Sequence, residues 1–186
     1  AAALAALIDH LRLDRYVLVT HDWGGPIGFA VATSQPSAVA GLVICPTWAW
    51  RPTDLGTLGF SAFMGSRLGK WLSLKRNFMA QTFVPAGINN KTEDVLNAYL
   101  SPFPTPESRL PTWVFVRSLR NAGSWLDTIA AGLAALDNKP IEMIWSKTGF
   151  PPAYRQRWQA QFPNAPLHEV DAKHYLQEDA PQPIAA

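Results

Sequence analysis

The stretch Tyr16-Val17-Leu18-Val19-Thr20-His21-Asp22-Trp23-Gly24-Gly25-Pro26 decides how the rest of the chain is read. Its first five residues (YVLVT) are a continuous apolar, β-branched run, the pattern of a strand buried on both faces of a parallel sheet. Pro26 is tolerated in a first helical turn, so a helix is predicted from about Pro26 to Ser34. Between them, His21-Asp22-Trp23-Gly24-Gly25 must make a sharp strand-to-helix turn. The backbone folds back on itself there, so small residues are needed around the apex. Gly24 and Gly25 supply them on one side, and Thr20 is small enough on the other. Such a turn lifts the Asp22 side chain above the carboxyl ends of the strands, where open α/β sheets bind ligands. The N-terminus of the next helix points to the same place, and its dipole favours an anion.

Working outward, Leu4, Leu7, Ile8 and Leu11 form the apolar stripe of an amphipathic helix over 3–11. Residues 41–45 (GLVIC) read as a second buried strand, 141–145 (IEMIW) as a third and 167–170 as a short fourth, with a helix over about 153–161. This alternation is the α/β pattern. The texture differs over 48–136, which is rich in Trp, Phe, Pro and Gly, with helical stretches near 66–79 and 92–100. The proline-rich segment 102–113 (PFPTPESRLPTW) is expected to be a stiff extended connection. The expected organisation is therefore a core of residues 1–47 and 137–186, interrupted by a mainly helical lid over 48–136. Both ends look cut, since the chain opens inside a helix and closes where another would begin.

Composition narrows the function classes. The 186 residues favour one domain, or one domain carrying an insertion. With 48% hydrophobic and 16% charged residues, wholesale disorder is excluded. No apolar run approaches the roughly 18 residues of a membrane helix. Lys and Arg total 16 against 14 acids, with no basic stripe, which argues against nucleic acid as a partner. Cys45 is the only cysteine, excluding a disulfide framework and a cysteine zinc cluster. Eight tryptophans suggest an apolar cavity whose walls carry N–H donors. The alanine-rich start has no basic region and runs into Asp9 and His10, so it reads as a helix rather than a signal peptide; the expected location is cytoplasmic.

Asp22 at the turn is the candidate nucleophile. A carboxylate is weak toward esters and amides but adequate toward an alkyl carbon bearing a good leaving group, where it forms an ester. That chemistry points to carbon–halogen or epoxide substrates. Trp23 carries an indole N–H, a donor with no acceptor function, so it can bind a departing halide or serve as plain cavity wall. Its backbone N–H is the candidate oxyanion donor. His174, in Asp171-Ala172-Lys173-His174-Tyr175, follows the last strand and is the candidate base that activates water. His10 and His168 read as structural or solvated, and His21 as packing beneath the turn.

HDWGGPIG at 21–28, TWAW at 47–50, PFPTPESRLPTWVF at 102–115 and AKHYLQEDAP at 172–181 together resemble the α/β-hydrolase superfamily, and within it the haloalkane dehalogenases. The resemblance implies a partial α/β-hydrolase fold, a mainly parallel sheet flanked by helices with an inserted helical lid. It implies hydrolysis of small apolar haloalkanes with water through an aspartyl ester, with Asp22 and His174 catalytic and Trp23 binding halide. No metal or organic cofactor is required. HDWGG alone is shared with epoxide hydrolases, the runner-up. Their tyrosine pair is hard to assemble here, because the lid region holds only Tyr99, with Tyr154 beyond it.

The sequence departs from the family in three places. The third triad member should be a carboxylate just after the strand at 141–145, but Trp145-Ser146-Lys147-Thr148-Gly149-Phe150 contains no acid, and Thr148 falls closest to its place. Another branch carries the acid after the strand ending at Cys45, where this chain has Pro46. Asp171 is a weak substitute. Lys173 also stands where glycine is usual before the histidine. Removing the aspartate of a serine-protease triad loses about 10⁴ in kcat. Finally, the first strands and an oxyanion loop that relatives place upstream are not in this sequence. A catalytically inactive α/β-hydrolase fragment is therefore the third expectation. Substrate size, halide preference and oligomeric state have no signal in the sequence.

Overall fold

The computed structural model describes residues 1–185. In chain order the elements are α1 (Ala2–His10), β1 (Tyr16–Asp22), α2 (Gly24–Ser34), β2 (Val39–Thr47), α3 (Leu55–Met64), α4 (Arg67–Arg76), α5 (Phe78–Ala86), α6 (Glu93–Leu100), α7 (Leu110–Asn121), α8 (Gly123–Gly132), β3 (Ile141–Ser146), α9 (Pro152–Gln161), β4 (Leu167–Val170), α10 (Leu176–Asp179) and α11 (Pro181–Ala185). No helix among the described residues is long and apolar enough to cross a membrane.

The chain divides into two compact units, Ala1–Trp50 with Trp125–Ala186, and Arg51–Ser124. In the first, β1, β2, β3 and β4 lie side by side in that order, all parallel. Register aligns Leu18 with Leu42 and Ile141, and Thr20 with Ile44, Met143 and Leu167. Those side chains share one face, and Leu42, Ile44 and Met143 are almost fully buried there. Helix α2 reaches this face closely: a Cβ on Gly28 would meet Leu18 Cδ1 at 3.0 Å. Phe29 of α2 and Trp158 of α9, neither accessible to solvent, pack with ring centroids 4.9 Å apart. The opposite face is thinly covered at the β1 edge, where Val17 and Val19 are 58% and 66% exposed.

The second unit is helical. Asp54, Ser66 and Thr92 cap α3, α4 and α6 by accepting a hydrogen bond from a first-turn amide with the side-chain oxygen. Ser61 Oγ of α3 donates to the Val116 carbonyl of α7 at 2.7 Å. At Gly69 a Cβ would come within 2.1 Å of the Met64 carbonyl oxygen, so only glycine permits that crossing.

Two expectations about this unit are corrected. The single helix at 66–79 is two helices, broken at Asn77, whose φ of +50° terminates α4. The proline-rich segment is not extended throughout. Leu110 to Trp113 already belong to α7, because Pro111 falls in its first turn, where the missing N–H costs nothing. The preceding turn is held by reciprocal Thr105–Ser108 bonds and by the Arg109 guanidinium, which donates to the Phe103, Pro104 and Leu74 carbonyls.

Candidate active site

β1 continues two residues past its apolar run, so that Asp22 is its last residue and α2 begins at Gly24. Asp22 takes φ +48°, a left-handed conformation that costs a non-glycine residue about 1–3 kcal/mol. Two contacts hold it there. Thr47 Oγ1, at the end of the neighbouring β2, donates to the Asp22 carbonyl at 2.5 Å. Gly25 lies directly against that hydroxyl: an added Cβ would sit 1.8 Å from Thr47 Oγ1. Gly24 is different, since its Cβ direction is open. Only the second glycine of the pair is sterically demanded, a refinement of the sequence reading. Beneath the turn, the buried Trp158 indole donates Nε1–H to the Thr47 carbonyl at 2.9 Å.

This geometry brings Asp22 to the C-terminal histidine. His174 Nε2 lies 2.9 Å from Asp22 Oδ2, with the histidine side chain 20% and the aspartate 38% exposed. The contact engages Oδ2 of Asp22. His21 Nε2–H donates to the His174 carbonyl at 2.8 Å, and the two imidazoles are 4.6 Å apart between centroids. Burial pushes the His21 pKa below the usual histidine range, helped by His174 and opposed by Asp22. Phe150 lies parallel to the His174 ring at 6.2 Å, and Tyr175 meets it edge-on at 4.9 Å. Gly149, at φ +88°, leaves room for that loop, because a Cβ there would press on the His174 backbone nitrogen at 2.7 Å.

The expected positions of the acid are accounted for. Thr148 Oγ1 donates to the Ala172 carbonyl at 3.4 Å, so it braces the histidine loop through the backbone. Pro46 is buried in β2, and Asp171 is exposed. Among the described residues, no carboxylate other than Asp22 forms an ion pair with His174. Asp179 was not anticipated: its Oδ2 accepts the Lys173 N–H at 2.9 Å and fastens the residue before His174. Trp23 caps α2 and meets the Trp48 ring edge-on at 5.0 Å. Thr47 and Phe150 had no sequence signal, because each acts through a neighbour distant in the chain. No cluster suited to a metal ion occurs among the described residues. A cleft lined by Lys139, Ile141 and Phe162 opens at the other, amino end of β3, away from this chemistry.

The parallel sheet flanked by helices agrees with the comparisons. The profile described as alpha/beta hydrolase family matches residues 1–186. The chain belongs to the alpha/beta hydrolase family. Haloalkane dehalogenase 2 of Mycobacterium tuberculosis is 34% identical over 192 residues, spanning all of this chain and 67% of that protein. A cis-3-alkyl-4-alkyloxetan-2-one decarboxylase of Shewanella oneidensis is 30% identical over 205 residues, spanning 95% of this chain and 60% of that protein. The crystal structure of haloalkane dehalogenase DbeA from Bradyrhizobium elkani superimposes with a TM-score of 0.84 at 28% identity, covering 97% of this chain and 68% of that one. Haloalkane dehalogenases thus stand among the relatives of this family member both in sequence and in structure. The chain spans about two thirds of their length.

Proposed function

We propose that this family member hydrolyses carbon–halogen bonds of small apolar haloalkanes through an ester on Asp22. The observation that carries the reading is the 2.9 Å contact between His174 Nε2 and Asp22 Oδ2, which sets a nucleophile and a base side by side. Asp22 Oδ1 attacks the carbon bearing the halogen from the side opposite the leaving group. A carbon–oxygen bond forms, the carbon–halogen bond breaks, and halide departs with the bonding pair. Trp23 donates its indole N–H to that halide.

Esterification removes the charge of Asp22, so Nε2 no longer faces an anion, and a neutral imidazole carrying its proton on Nδ1 has Nε2 open as a base. Nε2 then takes a proton from water as the water oxygen attacks the Asp22 carbonyl carbon. The Trp23 backbone N–H stabilises the resulting oxyanion. Collapse expels the alcohol, which leaves with the proton from His174, and Asp22 is again a carboxylate. The sum is haloalkane plus water giving alcohol, halide and a proton. Among the described residues no carboxylate other than Asp22 pairs with His174, so the imidazolium beside the esterified Asp22 is less stabilised, and turnover is slow.

Incubation with a bromoalkane tests this: the protein releases bromide and the Asp22→Ala variant does not. Equal release from both removes the proposal. Diol formed from a styrene-oxide-like probe, without halide release from the bromoalkane, transfers the assignment to epoxide hydrolysis.

A further inference from the structure

Helix α4 reads Arg67-Leu68-Gly69-Lys70-Trp71-Leu72-Ser73-Leu74-Lys75-Arg76, with four cations and no acid. Gly69 and Ser73 are buried and mark its inner face. Leu68, Trp71 and Lys75 recur at helical spacing on the opposite side, joined by Arg67 one turn before Trp71. Leu68 is 54% and Trp71 48% exposed, a large apolar surface for a side so rich in charge. Helix α7 lies alongside. Lys70 Nζ stands 4.8 Å from the centroid of the Trp113 ring, and the guanidinium of Arg109, the residue before α7, donates to the Leu74 carbonyl at 3.0 Å. α7 repeats the pattern: Val116 is buried, while Leu110, Val114 and Arg117 share an exposed side.

The charge of the unit Arg51–Ser124 is lopsided. It carries nine Lys and Arg against four Asp and Glu, whereas the rest of the chain carries seven against ten. Near the exposed row, Glu107 interacts electrostatically with both Lys75 and Arg109, so one carboxylate meets two cations. Single exposed leucines need no explanation, but exposed Leu, Trp and Val interleaved with Lys and Arg are the composition of a helix that lies in a membrane interface. The apolar side chains enter the acyl boundary, Trp sits at headgroup level, and the cations stay with anionic headgroups. A second copy of the unit is a poor occupant, since it brings the same excess of positive charge. We propose that the α4–α7 face docks on an anionic lipid surface, with Leu68 and Trp71 inserted and Arg67 and Lys75 on the headgroups. Such binding needs no spanning helix, and it is independent of the chemistry proposed for Asp22.

Sedimentation with lipid vesicles tests this. The protein pellets with vesicles of phosphatidylcholine and phosphatidylserine mixed about three to one, and stays in solution with phosphatidylcholine alone. Binding weakens steeply as sodium chloride is raised, because headgroup contacts are screened. Arg67→Ala combined with Lys75→Ala weakens binding about thirtyfold, since each cation near an anionic surface accounts for about fivefold. Tryptophan emission shifts to the blue on binding, and Trp71→Phe, which still pellets, loses most of that shift. Thermal melts check that the variants fold. If the double variant does not, the salt series on the parent protein and Lys75→Ala alone, weakened about fivefold, decide the matter. Equal pelleting with both kinds of vesicle, indifference to salt, undiminished binding of the charge variants, or an unchanged emission shift in Trp71→Phe overturns the proposal. Pelleting with neither vesicle, while a DNA duplex binds in a manner that depends on Arg67 and Lys75, also overturns it and gives the face to nucleic acid.

Discussion

Thr47 Oγ1 donates to the carbonyl oxygen of Asp22 across 2.5 Å, joining the ends of two neighbouring parallel strands at the bend that presents the candidate nucleophile. The same hydroxyl fills the space beside Gly25. The bend is therefore a three-residue lock, and its parts are separable by mutation.

Gly25→Ala and Gly24→Ala have opposite consequences despite their adjacency. At Gly25 the new methyl overlaps Thr47 Oγ1, and overpacking of this kind costs about 1–3 kcal/mol. At Gly24 nothing lies within 4 Å, and alanine suits a helix better than glycine, so stability is unchanged or slightly raised. Urea denaturation midpoints of the two variants check this. Combining Gly25→Ala with Thr47→Ala recovers part of the loss.

Trp158→Phe preserves the stacked ring but leaves the buried Thr47 carbonyl without its donor. The expected loss of stability is about 1–3 kcal/mol, the cost of an unsatisfied buried polar group. Because Thr47 in turn holds Asp22, halide release slows in the same variant. An unchanged melting temperature would show that the carbonyl finds another donor.

His174→Ala separates the two chemical steps. In the proposed reaction, displacement of halide needs only Asp22, whereas hydrolysis of the ester needs the base. The variant releases at most one halide per protein molecule and then stops. Mass spectrometry finds the alkyl group on the peptide that contains Asp22. Continued turnover would assign the base elsewhere.

His21 gives stability a pH dependence of definite sign. Its pKa in the folded protein is lowered, chiefly by burial, so the unfolded chain binds a proton near pH 6.5 that the folded chain resists. The stabilisation is complete above the unfolded value and declines as pH falls below it, by at most about 1.4 kcal/mol per pH unit. His21→Gln, which keeps a donor for the His174 carbonyl, flattens this slope between pH 7 and 5. Urea midpoints across that range, variant against parent, measure the difference.

Much of the arrangement was legible from local pattern. The β-branched run before His21, the glycine pair after Trp23 and the helical period around them are short-range signals, so β1, the bend and α2 were readable. His174 was readable from its place after the last strand. Boundaries were less so: β1 runs two residues further because its ladder with β2 continues to Asp22 and Thr47. The proline-rich segment misled because prolines in a first helical turn and prolines in an extended run look alike in sequence.

Residue chemistry and short-range periodicity determined the class of fold and the candidate nucleophile, while the resemblance to haloalkane dehalogenases implied the candidate base and pointed to Trp145–Phe150, a stretch without an acid. Tertiary structure decided what holds those groups. The Thr47 bond to the bend and the Phe150 ring over the imidazole join positions far apart in the chain. Such contacts depend on how strands and loops pack, and packing leaves no local trace in the order of residues.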